Sequence, residues 1–146
     1  MNDIYYPVSD GKVKAQVMRD FFAYVHLELS GTGVVLSADL FGMTTTNTDD
    51  LNIGQVLEHA LPYFDYIAPM VYPSHYPPGF NGYKNPAEKP YEVIKYTMDK
   101  AFARASTTPD KLRPWLQDFN LGATYGPDKV RAQIQATYDA GFDSWL

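Results

Sequence analysis

Amphipathic helical patterns alternate with short apolar runs along the chain, and this alternation is the strongest constraint on its fold. The runs predicted as strands cover residues 34–39, 66–72, 112–118 and 143–146. Successive runs are separated by more than about a dozen residues, the length that a parallel connection through a crossover helix requires. The sequence therefore predicts an α/β domain with a parallel sheet.

Apolar residues that recur three or four positions apart predict four helices. They cover residues 12–29, about 53–64, a segment that begins after Pro90, and about 127–140. Asp10 is expected to cap the first helix. Gly31 and Gly141 are expected to end the first and the last.

Two folds fit this pattern, an open doubly wound sheet and a closed (β/α)8 barrel. No glycine-rich phosphate-binding motif follows a predicted strand, which argues against nucleotide binding and favours the barrel. A full barrel needs about 250 residues and eight strands. Because this chain has 146 residues and four predicted strands, we interpret residues 1–146 as one partial domain, the C-terminal half of a TIM (β/α)8 barrel.

Composition and charge exclude several function classes. The formal net charge is -5 and the chain has no Lys or Arg run, so neither nucleic acid nor a membrane surface is an expected partner. The absence of cysteine excludes disulfides and thiolate metal sites, and no two histidines have metal-ligand spacing. We expect no metal and no cofactor, and the sequence leaves the cellular location unknown.

Polar and aromatic residues follow each of the first three predicted strands. In a barrel the chemistry lies at the carboxyl ends of the strands. The residues at these ends are Asp39, then Tyr72 with Ser74 and His75, then Gln117 with Asp118, and Trp115 lies within the third run. Two carboxylates across a cleft suit glycoside hydrolysis, because one protonates the leaving oxygen and the other attacks C1 or activates water.

Each of these residues also has a structural interpretation. A strand-terminal aspartate such as Asp39 often caps a helix or closes a turn. An isolated histidine such as His75 is more often a hydrogen-bonded loop residue than a metal ligand or proton carrier. His26 and His59 lie within helical patterns and are interpreted as structural.

Several short sequence words, in a fixed order, carry a resemblance to a known family. The words are S-A-D-L-F-G at 37–42, I-G-Q at 53–55, Y-I-A-P-M-V-Y-P-S-H-Y at 66–76, P-Y-E-V at 90–93, R-P-W-L-Q-D-F at 113–119 and R-A-Q-I at 131–134. Together they resemble a glycoside hydrolase domain family of bacterial proteins that is expected to form a TIM barrel. The resemblance covers nearly the whole chain and implies a barrel that acts on carbohydrate.

The resemblance also implies further segments beyond those seen here. Family members carry an upstream strand that ends in an acidic residue followed by Tyr, an apolar residue, Arg, Phe and Pro. This sequence begins just after that point, and it ends at Leu146, where the family's final strand continues. We therefore expect part of the active-site wall to lie outside these residues.

The leading hypothesis is a glycoside hydrolase-like domain whose carboxylates near the scissile bond are Asp39 and Asp118. Tyr72 and His75 are expected to orient the substrate. Trp115 and Gln117 are expected to contact sugar, and the roles of acid and base stay open.

Two alternatives remain beside this hypothesis. One is a non-catalytic carbohydrate-binding or scaffold module, and the other is a domain without a ligand. A half-barrel would also leave the strands at 34–39 and 143–146 as unsatisfied sheet edges unless a second copy covers them, so the sequence allows self-association through these edges.

Overall fold

Helices and strands alternate as far as the second strand. The computed structural model describes residues 11–106 and 108–146. The regular elements are α1 (Lys14–Leu29), β1 (Ser37–Phe41), α2 (Leu57–Ala60), β2 (Tyr66–Met70), α3 (Pro90–Ala105) and α4 (Pro127–Asp139). In the described part of the chain, no regular strand separates α3 from α4. Short 3-10 turns lie at Gly42–Thr45, Pro73–His75, Phe80–Gly82, Pro86–Glu88 and Pro109–Lys111.

The sheet is parallel. β1 pairs with β2 in a register that sets Ser37 opposite Tyr66 and Phe41 opposite Met70. This arrangement confirms the α/β class and the parallel direction of the first two predicted strands. The half-barrel stays a prediction, because only two of its four expected strands are regular.

The third predicted strand, 112–118, lies beside β2 without forming a regular strand. Two isolated parallel bridges join Ile67 to Leu112 and Met70 to Trp115. Backbone N–H groups of Arg113 and Trp115 donate to the carbonyls of Ile67 and Pro69. Pro69 has no N–H to return a bond on this side, and this missing donor explains why the ladder is interrupted.

The chain terminus lies on the far side of this third segment. The Leu146 N–H donates to the Pro114 carbonyl at 2.9 Å, and the Leu116 N–H donates to the Leu146 carbonyl at 2.9 Å. One residue bonded to positions 114 and 116 is the pattern of a parallel pair. Residues 143–145 have no strand assignment, so the fourth predicted strand is reduced to this contact.

Several element boundaries differ from the predictions, and the largest differences are in the first strand and the second helix. The first strand begins at Ser37 rather than at 34, since Val34 and Val35 are exposed and precede the stretch that pairs with β2. The second helix, predicted over 53–64, is the four-residue α2 alone. Its predicted start fails because the backbone at 51, 52 and 54 has left-handed φ angles of 54°, 57° and 81°, which a right-handed helix does not contain.

α1, α3 and α4 fall where the periodicity predicts them. α1 begins after Val13, whose N–H donates to the Gln16 side chain at 3.3 Å. The predicted cap, Asp10, lies outside the described residues. Gly31 and Gly141 follow the ends of α1 and α4 with φ angles of 80° and 90°, as expected for glycines that terminate helices.

The core lies between the sheet and the helices α3 and α4. Leu40, Ile67 and Leu112 are almost fully buried, and all three belong to the core cluster. Ile94 and Met98 of α3 are fully buried in the same cluster. Because strand side chains alternate between faces, Ser37, Asp39 and Phe41 lie on the opposite face of the sheet from Leu40.

α1 contributes little to this core. Phe22 is its one buried residue, whereas a stripe of apolar residues on the same helix is exposed. The exposed apolar stripe consists of Val13, Val17, Phe21, Tyr24 and Leu27. Among residues 11–106 and 108–146, no helix combines the length and the apolar character that a membrane crossing needs.

Candidate active site

The carboxyl ends of the parallel segments meet at one edge of the sheet. Asp39 lies in β1, and Trp115 lies in the third segment, on the other side of β2. The indole Nε1–H of Trp115 donates to Oδ1 of Asp39 at 3.0 Å. Ala68 pairs with Asp39 in register and is fully buried, so a small residue lies where the indole crosses β2.

Gly42 allows the chain to pass close to β2 directly after β1. A Cβ atom at this position would overlap the carbonyl oxygen of Met70. This close approach gives a physical reason for the glycine of the S-A-D-L-F-G word. It also holds the turn after β1 against the end of β2, beside the site.

Four rings form a continuous aromatic row along this edge. Phe41 stacks on His75 with ring centroids 6.3 Å apart and an interplanar angle of 20°. His75 contacts Tyr72 edge to face at 5.1 Å, and Tyr72 contacts Phe119 edge to face at 5.2 Å. We call Phe41, His75, Tyr72 and Phe119 the aromatic row.

Tyr72 links the two candidate carboxylates. Burial raises the pKa of its hydroxyl, and the negative charges of Asp39 and Asp118 raise it further. Tyr72 and Asp118 line one cavity together with Trp115, which donates to Asp39. Asp39 and Asp118 are exposed to solvent.

Gln117 occupies a different environment from the one expected for a sugar ligand. It is fully buried. Its Oε1 accepts from the Ser74 N–H at 3.1 Å, and its Nε2 donates to the carbonyls of Phe119 and Leu121 at 2.9 and 3.2 Å. Both amide hydrogens are used within the protein, so the sugar contact predicted for Gln117 gives way to a role in holding loops.

A cavity of about 340 Å³ opens at the carboxyl end of the third segment, where Asp118 lies. It is lined by Tyr72, Trp115, Leu116, Gln117, Asp118, Phe119, Val130, Trp145 and Leu146. Three of the predicted site residues on the third segment, with Tyr72, thus share one cavity. His75 and Asp39 lie beside it, joined to it through Tyr72 and Trp115.

Sequence reasoning missed the roles of Phe119, Trp145 and Gln133. Phe119 and Trp145 are each 40% exposed and line the cavity. The sequence contained a signal for both, because Phe119 directly follows Asp118 and Trp145 lies in the last predicted strand. Gln133 gave no signal, since a glutamine in a helix is normally a surface residue, whereas this one is fully buried.

The described part of the chain holds no group of three or more histidine, aspartate or glutamate side chains that could bind a metal ion. Of the two histidines outside the site, His26 has a structural contact. Nδ1 of His26 lies 2.8 Å from the carbonyl oxygen of Tyr63. The chemistry that the site can offer is therefore that of two carboxylates, a phenol, an imidazole and several aromatic faces.

Comparison with known families covers the whole chain. Residues 1–146 match the family described as "Putative glycosyl hydrolase domain". The chain belongs to this family. Membership of the glycosyl hydrolase domain family confirms the resemblance carried by the sequence words. A comparison with curated proteins finds no match.

A solved structure shows the same fold. The chain is similar to the PgaB (BpsB) glycoside hydrolase domain from Bordetella bronchiseptica, with a TM-score of 0.64 and 20% sequence identity. The similarity covers 90% of this chain and 36% of that chain. This glycosyl hydrolase family domain therefore spans about a third of the length of the solved chain that it matches.

Proposed function

We propose that this chain forms part of the active site of a glycoside hydrolase that cleaves a polysaccharide or oligosaccharide by carboxylate acid/base chemistry. The observation that carries the proposal is that Trp115, whose indole donates to Asp39 at 3.0 Å, lines the same cavity as Tyr72 and Asp118. Family membership and the match to a glycoside hydrolase structure support a carbohydrate as the substrate. No metal or cofactor enters the proposed reaction.

The four parallel segments are proposed to be the C-terminal half of a (β/α)8 barrel. The order β1, β2, third segment and Leu146 supports this, because each neighbour in space is the next segment along the chain. A barrel built this way gathers all strand ends at one rim. The remaining wall of the site would come from segments outside these 146 residues.

Each site residue has a proposed role. Asp39 and Asp118 are the carboxylates near the scissile bond, one acting as acid and the other as base or nucleophile. The Trp115 N–H orients Asp39 by donating to its Oδ1 at 3.0 Å. Tyr72 and His75 orient the substrate, and the exposed face of Trp115 contacts sugar.

The aromatic row supports the same substrate class. Phe119 is 40% exposed, and its neighbour Tyr72 is half-buried. Ring faces at the edge of a cleft suit the apolar faces of pyranose rings, while hydroxyl and carboxylate groups suit sugar hydroxyls. Such a surface discriminates by shape and hydrogen bonding rather than by a strong positive charge.

Single substitutions of the carboxylates test the proposal. In the protein at its natural full length, Asp39→Asn and Asp118→Asn should each lower the rate of reducing-sugar release by about a hundredfold or more, the usual contribution of acid/base groups. Asp110→Asn is the matched control, because Asp110 is exposed on the turn that precedes the third segment, at the opposite end of the sheet. Wild-type rates in both site variants would refute the acid/base assignment.

A non-catalytic carbohydrate-binding module is the second candidate, and the aromatic row favours it because ring stacking needs no acid/base pair. Trp115 and Trp145 both line the cavity, so tryptophan fluorescence should report binding. Oligosaccharide binding by the full-length protein without any release of reducing sugar would favour the module. No binding to any member of a glycan panel would exclude both candidates.

A further inference from the structure

We call the loop after β2, which carries Tyr72 and His75, and the loop at the end of the third segment, which carries Asp118 and Phe119, the rim loops. We propose that Gln133 and Gln117 form a two-step clamp in which Gln133, on α4, holds Gln117, and Gln117 fixes the spacing between the two rim loops. This inference rests on the proposed function for its biological meaning. Its structural content stands on the contacts below.

The first step joins α4 to the third segment. Oε1 of Gln133 accepts from the Gln117 N–H at 2.9 Å, and Nε2 of Gln133 donates to the Gln117 carbonyl at 2.7 Å. One side-chain amide thus satisfies both backbone groups of Gln117. Both residues are fully buried, where an unsatisfied backbone group would be costly.

The second step joins the third segment to both rim loops. Oε1 of Gln117 accepts from the Ser74 N–H in the loop after β2, and its Nε2 donates to the carbonyls of Phe119 and Leu121. Ser74 lies between Tyr72 and His75, and Phe119 directly follows Asp118. The side chain of Gln117 therefore fixes the loop that carries the phenol and imidazole relative to the loop that carries the carboxylate.

The direction of both amides is determined by their partners. The N–H groups of Ser74 and Gln117 can only donate, so each must face an amide oxygen. The carbonyls of Gln117, Phe119 and Leu121 can only accept, so each must face an amide nitrogen. Neither glutamine can be flipped without opposing like groups in a buried environment.

Glycine packing supports the same coupling. Gly122, at the end of the second rim loop, lies so close to the other loops that an added Cβ would approach Cβ of Ala87 at 2.8 Å and Cβ of Ser74 at 3.5 Å. The Gly122 carbonyl also accepts from the Asn85 side chain at 3.0 Å. The two rim loops are thus in contact, and a change at Gln117 has a direct route to Ser74.

Hydrogen exchange of single backbone amides tests the clamp. In Gln133→Met, which keeps the length of the side chain and removes both bonds, the Ser74 amide should exchange about tenfold faster, the factor that corresponds to one net hydrogen bond of protection. Thr137→Val is the matched control, because Thr137 is fully buried on the same helix and its hydroxyl donates only to the Gln133 carbonyl. Unchanged exchange at Ser74, or an equal rise in both variants, would overturn the proposal.

A second variant keeps the test decisive if Gln133→Met does not fold. In Gln117→Met the Ser74 backbone amide should exchange faster. The backbone amide of position 117 should stay protected, because Gln133 still accepts from it. A rise at both amides, or at neither, would contradict the two-step order. Since exchange does not depend on hydrolysis, failure of the clamp is distinguishable from failure of the proposed function, which the carboxylate variants test.

Discussion

The indole N–H of Trp115 donates to Oδ1 of Asp39 at 3.0 Å, although 76 positions separate the two residues along the chain. The bond crosses β2 and ties the first strand to the third parallel segment on the face of the sheet opposite the core. Two candidate site residues that are far apart in the sequence thus meet on this face of the sheet. The bond joins an acid to an aromatic side chain at the centre of the proposed site.

A double-mutant cycle should measure this bond. Trp115→Phe keeps a ring and removes the donor, and Asp39→Ala removes the acceptor. We expect a coupling free energy of about 0.5 to 1.5 kcal/mol between them, measured by urea denaturation, because the bond is partly exposed to solvent. Trp145→Phe is the control, since its Nε1 donates to the Tyr138 hydroxyl rather than to Asp39. Additive effects of Trp115→Phe and Asp39→Ala would show that the bond contributes nothing to stability.

The titration of Tyr72 should report on both carboxylates. The pKa of this phenol is raised above its ordinary value of 10.0 by burial first and by the charges of Asp39 and Asp118 next. Asp39→Asn and Asp118→Asn should therefore each lower the Tyr72 pKa towards the ordinary value, as measured by NMR of ring-labelled tyrosine. Tyr91, whose pKa is raised by its hydrogen bond to Asp139, serves as an internal reference and should not move. If Asp118→Asn leaves the Tyr72 pKa unchanged, the two carboxylates do not act on the same phenol.

The loss of stability at low pH, called the acid limb below, should depend on Glu58. The Arg104 guanidinium, which donates to this carboxylate at 2.6 and 2.7 Å, holds the Glu58 pKa below its ordinary value of 4.5. The ion pair therefore stabilises the fold above that pH, and this stability is lost as the pH falls from 4.5 through the lowered pKa. Because Glu58 is 46% exposed, the effect is at most about 1 kcal/mol.

In Glu58→Gln the free energy of unfolding, measured by urea denaturation, should fall less between about pH 7 and about pH 3, the range in which carboxylates titrate. Glu28→Gln, at an exposed position of α1, is the control and should leave the limb unchanged. An acid limb that stays as steep in Glu58→Gln as in the wild type would contradict the assignment.

The exposed apolar stripe of α1 should drive self-association of this 146-residue chain. Phe21 and Leu27 are 55% and 70% exposed, and β1 has a paired neighbour on one side only among the described residues. Size-exclusion chromatography with light scattering should show species larger than a monomer, and an apolar dye should bind. Phe21→Lys with Leu27→Lys should shift the chain towards monomer, whereas Arg19→Lys, on the same helix, should not. A wild-type monomer without dye binding would count against an open half-barrel.

The sequence by itself determined the helices with long apolar periods and the parallel direction of the sheet. α3 and α4 fall where their periodicity places them, because each buries one face and the apolar residues of that face recur at a fixed spacing in the sequence. The parallel direction follows from connections too long for a hairpin. The candidate carboxylates Asp39 and Asp118 were also chosen from sequence, since each ends an apolar run, and their catalytic role stays a prediction.

Tertiary structure decided what local patterns do not encode. Pro69 interrupts the ladder of a segment more than forty positions away, and left-handed backbone at Asn52 shortens α2. Gln117 is predicted from sequence to contact sugar, yet its hydrogen bonds with Gln133 hold it in a fully buried position. Such outcomes depend on which groups meet across the fold, and a polar side chain becomes structural only when a distant partner satisfies it in the absence of water.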